Sequence, residues 1–569
     1  MSIISYPFNP SYTLMIRVVS CGWGLLLVAL LSACNPPAAP VQRGEAARLS
    51  YRPTFRPNIL WLVAEDLSPF LPMYGDSAVA TPHLSRLAAE GVVYTRVFSP
   101  SGVCAPSRAA IATGMYPTHI GAMHMRTGGQ VKYLPAEIIP YEATPHSGVF
   151  MHSEYLRRAG YYCTNNAKED YQFRKSLMAW DESSNQAHWR NRQPGQPFFA
   201  IFNFGVTHES QIWVRQHDSL WIDTLQPLAM PPYLPDNAVA RRDLRRMYSN
   251  IAEMDDQVGR VLAQLEADGL LDSTIIFWYA DHGGPLPRMK RQVYDSGIRL
   301  PMIIRYPDAW QAGTRDDRLI SFVDFLPTLL SITGQAPPGY LDGQAFAGEY
   351  RAPQDRRYIH AAADRFDEVY TMKRAVRDAR FKYIRNFRAA EGDYEDNAYR
   401  KQQPIMAEML RLRDAGQLDS IQMLWFCRPC PEEMLFDTET DPHEIHNLAG
   451  DPAYADKLAE LRAECLRWME AVGDKGSMPE PDFIASMWPG KVQPVTQPPV
   501  VQQQPAGWTL SSATPGASLG YQILAPDSLP GPRWQVYTGP VAVPPGQTLA
   551  AVAHRLGYQP SEVVRLDQR

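Results

Sequence analysis

The sequence predicts an α/β fold built on a mostly parallel sheet flanked by helices. Mostly apolar runs at 57–64, 197–204 and 273–280 are typical of strands that are buried on both faces. Amphipathic stretches at 81–91 and 243–268 have the spacing of helices, and a glycine closes or follows each. Strands that alternate with helices in this way favour a parallel sheet covered by helices.

The composition indicates a multidomain globular protein. The chain has 569 residues, which is enough for two or three domains. Hydrophobic residues make up 45% and charged residues 20% of it. The formal net charge of −5 gives no electrostatic case for binding nucleic acid. An anionic ligand would therefore be recognised locally, by a few well-placed cations.

Residues 1–34 resemble a targeting segment and are left out of the fold prediction. Arg17 precedes an apolar run at 24–31 that is too short to span a bilayer comfortably. The run ends in Leu-Ser-Ala-Cys at Cys34, which resembles a bacterial lipoprotein signal. This resemblance implies lipidation of Cys34 and an exported, membrane-anchored lipoprotein in the periplasm or on the cell surface. An ordinary secretory signal cleaved nearby is the alternative.

The sequence pattern divides the rest of the chain into segments. Residues 35–56 indicate a linker, and 57–335 form the main α/β domain. Residues 336–478 predict a smaller α+β subdomain that closes with an amphipathic helix at 452–472. Residues 479–507 are rich in proline and predict a second linker.

The last segment, residues 508–569, alternates apolar and polar residues between Gly and Pro turns. This pattern is typical of a small β-sandwich. The segment resembles the sandwich module appended to bacterial chitobiases and other carbohydrate enzymes. The resemblance implies a role in holding glycan, and a plain spacer or packing module is the alternative.

Cys427 and Cys430 enclose only two residues. In an oxidising compartment this pair favours a small disulfide loop, and two unpaired thiols are the alternative. A zinc half-site would need a second pair of ligands, so a single CxxC is weak evidence for one.

Polar side chains follow three of the predicted strands at the point where each strand ends. Glu65 and Asp66 follow the first strand, His208 follows the second, and Asp281 and His282 follow the third. Sites in open α/β sheets lie beyond the carboxyl ends of the strands. The sequence therefore predicts that these side chains meet at one edge of the sheet.

Residues 104–114 read Cys-Ala-Pro-Ser-Arg-Ala-Ala-Ile-Ala-Thr-Gly. A Cys with Pro two residues later and Arg four residues later resembles the maturation motif of the formylglycine-dependent sulfatases. The resemblance covers roughly 57–470 and implies an alkaline-phosphatase-like fold and sulfuric ester hydrolysis. It also implies that a formylglycine-generating enzyme oxidises Cys104 to formylglycine, whose aldehyde hydrate is the nucleophile.

The same resemblance implies roles for four further side chains. Arg108 would hold the aldehyde hydrate, and Lys168 and Lys290 would bind the sulfate. His208 would face the leaving-group oxygen and supply its proton, alone or with Lys290. Asp170 stands where many sulfatases have the His that acts in sulfate release, so either Asp170 substitutes for it or the role moves elsewhere.

A single divalent metal is implied as cofactor. Its expected ligands are Glu65, Asp66, Asp281, His282 and the modified Cys104. Most relatives have Asp in place of Glu65, and many have Asn in place of His282. Oxygen ligands favour Ca²⁺, whereas the imidazole widens the choice to Mn²⁺ or Zn²⁺.

The expected substrate is a sulfated glycan. The region around Lys168 and residues 358–387 resemble heparan-type sulfatases, which implies a heparan-like polysaccharide. One alternative is a phosphonate monoester or phosphodiester hydrolase of the same superfamily, which the Asp281-His282 pair favours. Another is an inactive glycan-binding lipoprotein, which requires Cys104 to remain a thiol. Four further residues are candidates for lining the substrate mouth: His119, His124, Arg126 and Arg365.

Overall fold

The computed structural model describes residues 50–128 and 134–568. Residues 1–34, with the predicted lipidation site at Cys34, lie outside the described residues, as does most of the predicted linker at 35–56. Within the described ranges, no helix combines the length and apolar character needed to cross a membrane.

One mixed sheet of nine strands, counted over the described residues, forms the centre of the main domain. Its strands are β1 Asn58–Ala64, β2 Val92–Phe98, β3 Tyr162–Asn166, β4 Glu182–Ser183, β5 Phe198–Phe204, β6 Thr274–Ala280, β7 Arg299–Arg305, β8 Thr314–Asp316 and β9 Ile320–Ser321. The strand order is β4-β3-β5-β1-β6-β7-β2-β8, and β9 pairs with β2. Only β7 is antiparallel to its neighbours, β6 and β2.

The three predicted strands are confirmed as β1, β5 and β6, which lie side by side in parallel. Every residue of β1 and β6 is buried. Because both faces of these strands are covered, an unbroken apolar run is the pattern that the position requires.

Helices cover the main sheet. They are α1 Pro82–Glu90, α2 Cys104–Thr113, α3 Pro117–Ile120, α4 His152–Arg158, α5 Ser210–Val214, α6 Ala238–Ala267, α7 Asp295–Ile298 and α8 Phe325–Ile332. The two predicted helices correspond to α1 and α6. Helix α6 starts before the predicted boundary because the Asn237 side chain accepts hydrogen bonds from the backbone N–H groups of Val239 and Ala240.

The predicted α+β subdomain contains a four-stranded antiparallel sheet in sequence order. Its elements are β10 Ile359–Ala363, β11 Lys373–Arg377, β12 Phe381–Asn386, α9 Pro404–Asp414, α10 Ser420–Met423, β13 Glu433–Asp437 and α11 Ala455–Ala471. Leu461 and Cys465 of α11 pack in one apolar cluster with Val376, Tyr383 and Leu435 of the sheet. Cys427 and Cys430 form the disulfide that the sequence favours.

The predicted linker at 479–507 is wrong, because regular structure begins again at once. The remaining elements are α12 Glu480–Met487, β14 Val500–Gln504, β15 Gly507–Ser511, β16 Ser518–Leu524, β17 Gln535–Val536, β18 Thr548–His554 and β19 Val564–Asp567. Pro479 and Pro481 stand at the start of α12, where proline is tolerated. Strand β14 pairs with β15, so the two-sheet module starts before residue 508.

The C-terminal strands form two antiparallel sheets, β14-β15 and β17-β16-β18-β19. Leu510 and Val541 share one apolar cluster with Leu549 and Ala551 of β18, as expected for two packed layers. A second cluster joins Trp534 to Met178 of the main domain. The module is therefore packed against the main domain rather than suspended from it.

Candidate active site

Four adjacent parallel strands deliver polar side chains to one edge of the main sheet. In spatial order, β3 is followed by Lys168, β5 by His208, β1 by Asp66 and β6 by Asp281. The structure thus brings together the residues predicted from the ends of β1, β5 and β6, and Lys168 joins them at the end of β3.

Helix α2 adds the residues of the motif to this edge. Cys104 is its first residue, and Arg108 lies one turn later on the same face. Arg108 Nε lies 3.0 Å from Asp281 Oδ2, and its Nη1 donates to Asn203 Oδ1 at 2.7 Å. The Ser107 hydroxyl donates to the Asp281 carbonyl. The helix is therefore fixed to the end of β6 by both side chains.

The Cys104 thiol lies in a strongly positive environment. Its residue is buried, with 2% of its surface exposed. Burial alone would raise the pKa of the thiol, but the charges of Lys168 and Lys290 lower it to about 6. The same field stabilises any anionic oxygen at this position, because both charges act on the group irrespective of its element.

Asp66 is the central carboxylate of the site. It is completely buried, and both of its oxygens accept from Lys290 Nζ, at 2.9 and 2.7 Å. Its backbone N–H donates to Asp281 Oδ1 at 3.0 Å, which joins the ends of β1 and β6. Burial opposes ionisation of Asp66, but Lys290 and the neighbouring histidines hold its pKa well below the usual value.

Ligand atoms of Asp66, Cys104, Asp281 and His282 all lie within 4.8 Å of one another. His282 Nδ1 lies 3.0 Å from the Gly283 carbonyl, which leaves Nε2 as the nitrogen that faces the cluster. That buried Nε2 faces two carboxylates, 3.0 Å from Asp66 Oδ1 and 3.6 Å from Asp281 Oδ1. Burial would lower the pKa of His282, but Asp281 and Asp66 raise it to about 10. The cluster attracts positive charge, and its donor set fits a divalent cation.

Glu65 lies apart from this cluster. Its Oε2 accepts from Lys168 Nζ at 2.9 Å, and its carboxylate shares a second group of possible ligands with Asp66 and His208. Asp170 Oδ2 is 3.8 Å from the same Lys168 Nζ. Lys168 is therefore held between two carboxylates, at the carboxyl end of β3.

His208 and Lys290 form a close pair. His208 Nε2 lies 3.2 Å from Lys290 Nζ, and His208 Nδ1 lies 2.8 Å from Ser210 Oγ. Burial would lower the pKa of Lys290, but Asp66 and Cys104 raise it well above the usual value. The pair thus places a charged ammonium beside an imidazole at the end of β5.

Three of the four candidates for the substrate mouth make contacts that hold the fold together. His119 lies 3.0 Å from Asp342, the Nδ1 of buried His124 accepts from the Arg365 N–H, and Arg365 pairs with buried Glu480. None of these polar contacts of the three side chains is to the reactive cluster, by which we mean Asp66, Cys104, Asp281 and His282.

The fourth candidate, Arg126, lies nearer the reactive cluster. It pairs with Asp367 and lies over the Tyr399 ring, 4.7 Å from its centroid. Burial lowers the pKa of Arg126, but Asp367 raises it above its usual value. The negative charge of Cys104 makes a smaller contribution in the same direction as Asp367.

Sequence reasoning missed Asn203 and Glu209. Asn203 holds Arg108 and donates to Asn165 Oδ1 at 3.1 Å. Glu209 lies 3.2 Å from Lys290 and pairs with Arg291 through both oxygens. The signal for Asn203 was a single polar residue near the end of an otherwise apolar strand. Glu209 gave none beyond its position next to His208.

Two family models match the chain. The Sulfatase model matches residues 57–164 and 161–335, and the model described as N-sulphoglucosamine sulphohydrolase, C-terminal, matches residues 288–423. Two solved structures share the fold. One is a protein in complex with its substrate D-glucosamine-2-N,6-O-disulfate, with 17% identity, a TM-score of 0.53, and coverage of 74% of this chain and 99% of that one. The other is a 2-O GAG sulfatase, with 20% identity, a TM-score of 0.54, and coverage of 74% and 93%.

Two characterised relatives are similar in sequence over most of their length. An ulvan-active sulfatase of Formosa agariphila is 52% identical over 548 residues, which cover 90% of this chain and 91% of the relative. Human N-sulphoglucosamine sulphohydrolase is 25% identical over 457 residues, which cover 72% of this chain and 89% of the relative. The family model, the near-complete match to the first relative and the shared fold lead to one conclusion: the chain belongs to the sulfatase family and is a sulfatase.

Proposed function

We propose that this sulfatase releases sulfate from a sulfated polysaccharide of the ulvan type. The 52% identity with an ulvan-active sulfatase over nine-tenths of the chain supports this substrate over the heparan-like one that the sequence implied. The match to human N-sulphoglucosamine sulphohydrolase is only 25% identical. A sulfated glycan remains the substrate class in either case.

The nucleophile in this proposal is residue 104 after oxidation of Cys104 to formylglycine. As an aldehyde hydrate, it would present a hydroxyl at the start of α2. Arg108 carries one buried nitrogen, Nη2, that makes no hydrogen bond to any described residue. That nitrogen is suited to orient an oxygen of the hydrate or of the sulfate. The charges of Lys168 and Lys290, which lower the pKa of the Cys104 thiol, would lower that of a hydroxyl at the same position.

The sulfate is bound by Lys168, which follows β3, and by Lys290, which lies between β6 and α7. Fixed ammonium groups stabilise the negative charge that moves onto the sulfate oxygens in the transition state. The leaving sugar alcohol takes its proton from the His208–Lys290 pair. For sulfate release, Asp170, whose Oδ2 lies 3.8 Å from Lys168 Nζ, is the proposed acid–base group, and Glu65 lies on the other side of the same ammonium at 2.9 Å.

A divalent cation would be held by Asp66, Asp281 and His282 together with residue 104. Such a cation polarises a bound oxygen and lowers the pKa of a bound hydroxyl. The carboxylates favour Ca²⁺, and the imidazole makes Mn²⁺ or Zn²⁺ the alternatives. Removal of metal with a chelator should abolish sulfate release, and addition of single cations should identify the one that restores it.

The substrate is tested by incubating the matured enzyme with ulvan oligosaccharides, heparan oligosaccharides and a phosphodiester. We expect sulfate release and the matching mass loss from ulvan oligosaccharides. Faster phosphodiester cleavage would instead support the hydrolase alternative that His282 favoured. Peptide mass spectrometry at residue 104 tests the oxidation, and a Cys104→Ala variant should release no sulfate.

We also propose that the protein is an exported lipoprotein anchored through Cys34. The Leu-Ser-Ala-Cys sequence after a short apolar run supports this localisation. A lipid chain would contribute ~0.8 kcal/mol per buried methylene to membrane binding. Mass spectrometry of the mature N-terminus tests the proposal, because an unlipidated cleavage product would contradict it.

A further inference from the structure

We propose that a cleft beside Lys168 binds the sugar residue linked to the sulfated one, and that the C-terminal region builds part of its wall. This inference rests on the proposed function, because it requires a glycan substrate. We refer to this space as the flanking cleft. Its lining comes from 127–128, 140–142, 169–175, 488 and 493.

The flanking cleft has the size and position of a subsite. Its volume is about 560 Å³, within the range of ~300–1,000 Å³ that is usual for small-molecule sites. Asp170 belongs to its wall and lies 3.8 Å from Lys168 Nζ. A glycan whose sulfate is held by Lys168 would therefore have a neighbouring unit within reach of this cleft.

The lining combines polar groups suited to sugar hydroxyls with three carboxylates, of Glu142, Glu169 and Asp170, and with two cations that are available to an acidic substituent at the rim. The lining includes the nearly buried residues Tyr141, Phe173 and Trp488, which are 1%, 6% and 6% exposed, and carboxylate and amide groups suited to sugar hydroxyls. Two cations lie at the rim. The side chains of Arg174 and Lys175 are 56% and 36% exposed, and their acidic partners, Glu142 and Glu169, are less exposed in both cases.

The backbone of the loop that carries these groups is held in an unusual conformation. Asp170 and Gln172 have φ values of 57° and 61°, a region that non-glycine residues rarely occupy. Gln172 is fixed there because its side chain donates to the His124 carbonyl and its own carbonyl accepts from Ala143 N–H at 2.8 Å. Such conformations persist where the surroundings impose them, and they cluster at ligand sites.

The far wall belongs to a part of the chain that neither family model covers. Their matches end at residue 423, whereas Trp488 and Gln493 line the cleft. Trp488 is positioned by a hydrogen bond from its Nε1 to Thr144 Oγ1 at 3.1 Å. The C-terminal region therefore forms part of the cleft wall through Trp488 and Gln493. A module that only held glycan at a distance would not line the cleft.

Two variants test the flanking cleft. Arg174→Ala/Lys175→Ala removes the rim cations, and Gln493→Trp fills the cleft from the C-terminal side. Substrates are a sulfated disaccharide, the matching tetrasaccharide and a small aryl sulfate. We expect both variants to raise KM for the tetrasaccharide about tenfold, a loss of ~1.4 kcal/mol of binding. Their kinetics with the aryl sulfate should equal those of the unaltered enzyme.

Matched controls are Arg467→Ala, which removes an arginine that is 61% exposed on α11, and Val492→Trp, which adds a ring outside the cleft. Both should leave KM unchanged for all three substrates. Equal losses on aryl sulfate and tetrasaccharide, or unchanged KM for the tetrasaccharide, would overturn the subsite. If the unaltered enzyme cleaves the aryl sulfate but no glycan, the proposed function itself fails, and the subsite fails with it.

Discussion

At the scale of single residues, the site is a closed network of buried charges. Asp66 neutralises Lys290, Asp281 neutralises Arg108, and Glu209 joins Lys290 to Arg291. Removal of one member leaves its partner charged and buried, which is strongly destabilising. Substitutions at these positions will therefore combine loss of chemistry with loss of structure. His208 is only partly buried and is the better position for a kinetic test.

We predict that His208→Ala lowers kcat for a sugar sulfate by about 10²–10⁴-fold, because the departing alkoxide loses its proton donor. An aryl sulfate with an acidic phenol needs no proton on departure, so its kcat should change much less. Steady-state kinetics on both substrates measure the difference. The control is His217→Ala, which removes an exposed histidine nearby in the sequence. Equal losses on the two substrates would show that His208 serves the sulfate rather than the leaving group.

At the scale of elements, the strands and helices with a regular apolar pattern were the ones that the sequence predicted correctly. Strands β1, β5 and β6 and helix α6 were predictable because each buries an apolar surface with a regular period. Their polar ends placed Asp66, His208 and Asp281 at one edge without reference to any family. Lys168 lies on an irregular loop, where no period exists, and its place came only from the sulfatase resemblance.

Helix α12 shows why the C-terminal linker was predicted wrongly. Proline content suggested an extended chain, but Pro479 and Pro481 stand at the start of a helix. What stabilises α12 is tertiary: Phe483 and Ile484 pack with Met123 and Tyr141, which lie more than 300 residues earlier. Contacts between residues so far apart in sequence leave no trace in composition.

We predict that Glu480→Gln, at the first position of α12, destabilises the protein by about 3–5 kcal/mol. The buried carboxylate pairs with Arg365 at 2.6 and 2.8 Å and accepts from the hydroxyls of Tyr141 and Tyr370. The amide would leave the Arg365 charge uncompensated. Denaturant unfolding monitored by fluorescence measures the change, with exposed Glu470→Gln as control. A loss no larger than that of the control would show that solvent already compensates Arg365.

At the scale of the whole molecule, the described residues from Ser50 onward form one compact unit that includes the C-terminal sheets. Polar contacts tie those sheets to the main domain: Arg157 Nη2 donates to the Trp534 carbonyl at 2.7 Å, and Arg533 lies 2.9 Å from Asp181. The Ser518 hydroxyl donates to Glu154 in a buried position. A module attached in this way should not unfold before the domain that it contacts.

We therefore predict one cooperative unfolding transition, in which loss of sulfatase activity coincides with loss of tertiary structure. Trp534→Ala should shift the whole transition, by about 3–5 kcal/mol, because the ring packs against Met178 between the module and the main domain. Calorimetry and an activity assay on heated samples measure both quantities, and Leu529→Ala, at an 80% exposed residue, is the control. Two separate transitions, of which only the lower moves in Trp534→Ala, would mean that the module folds independently.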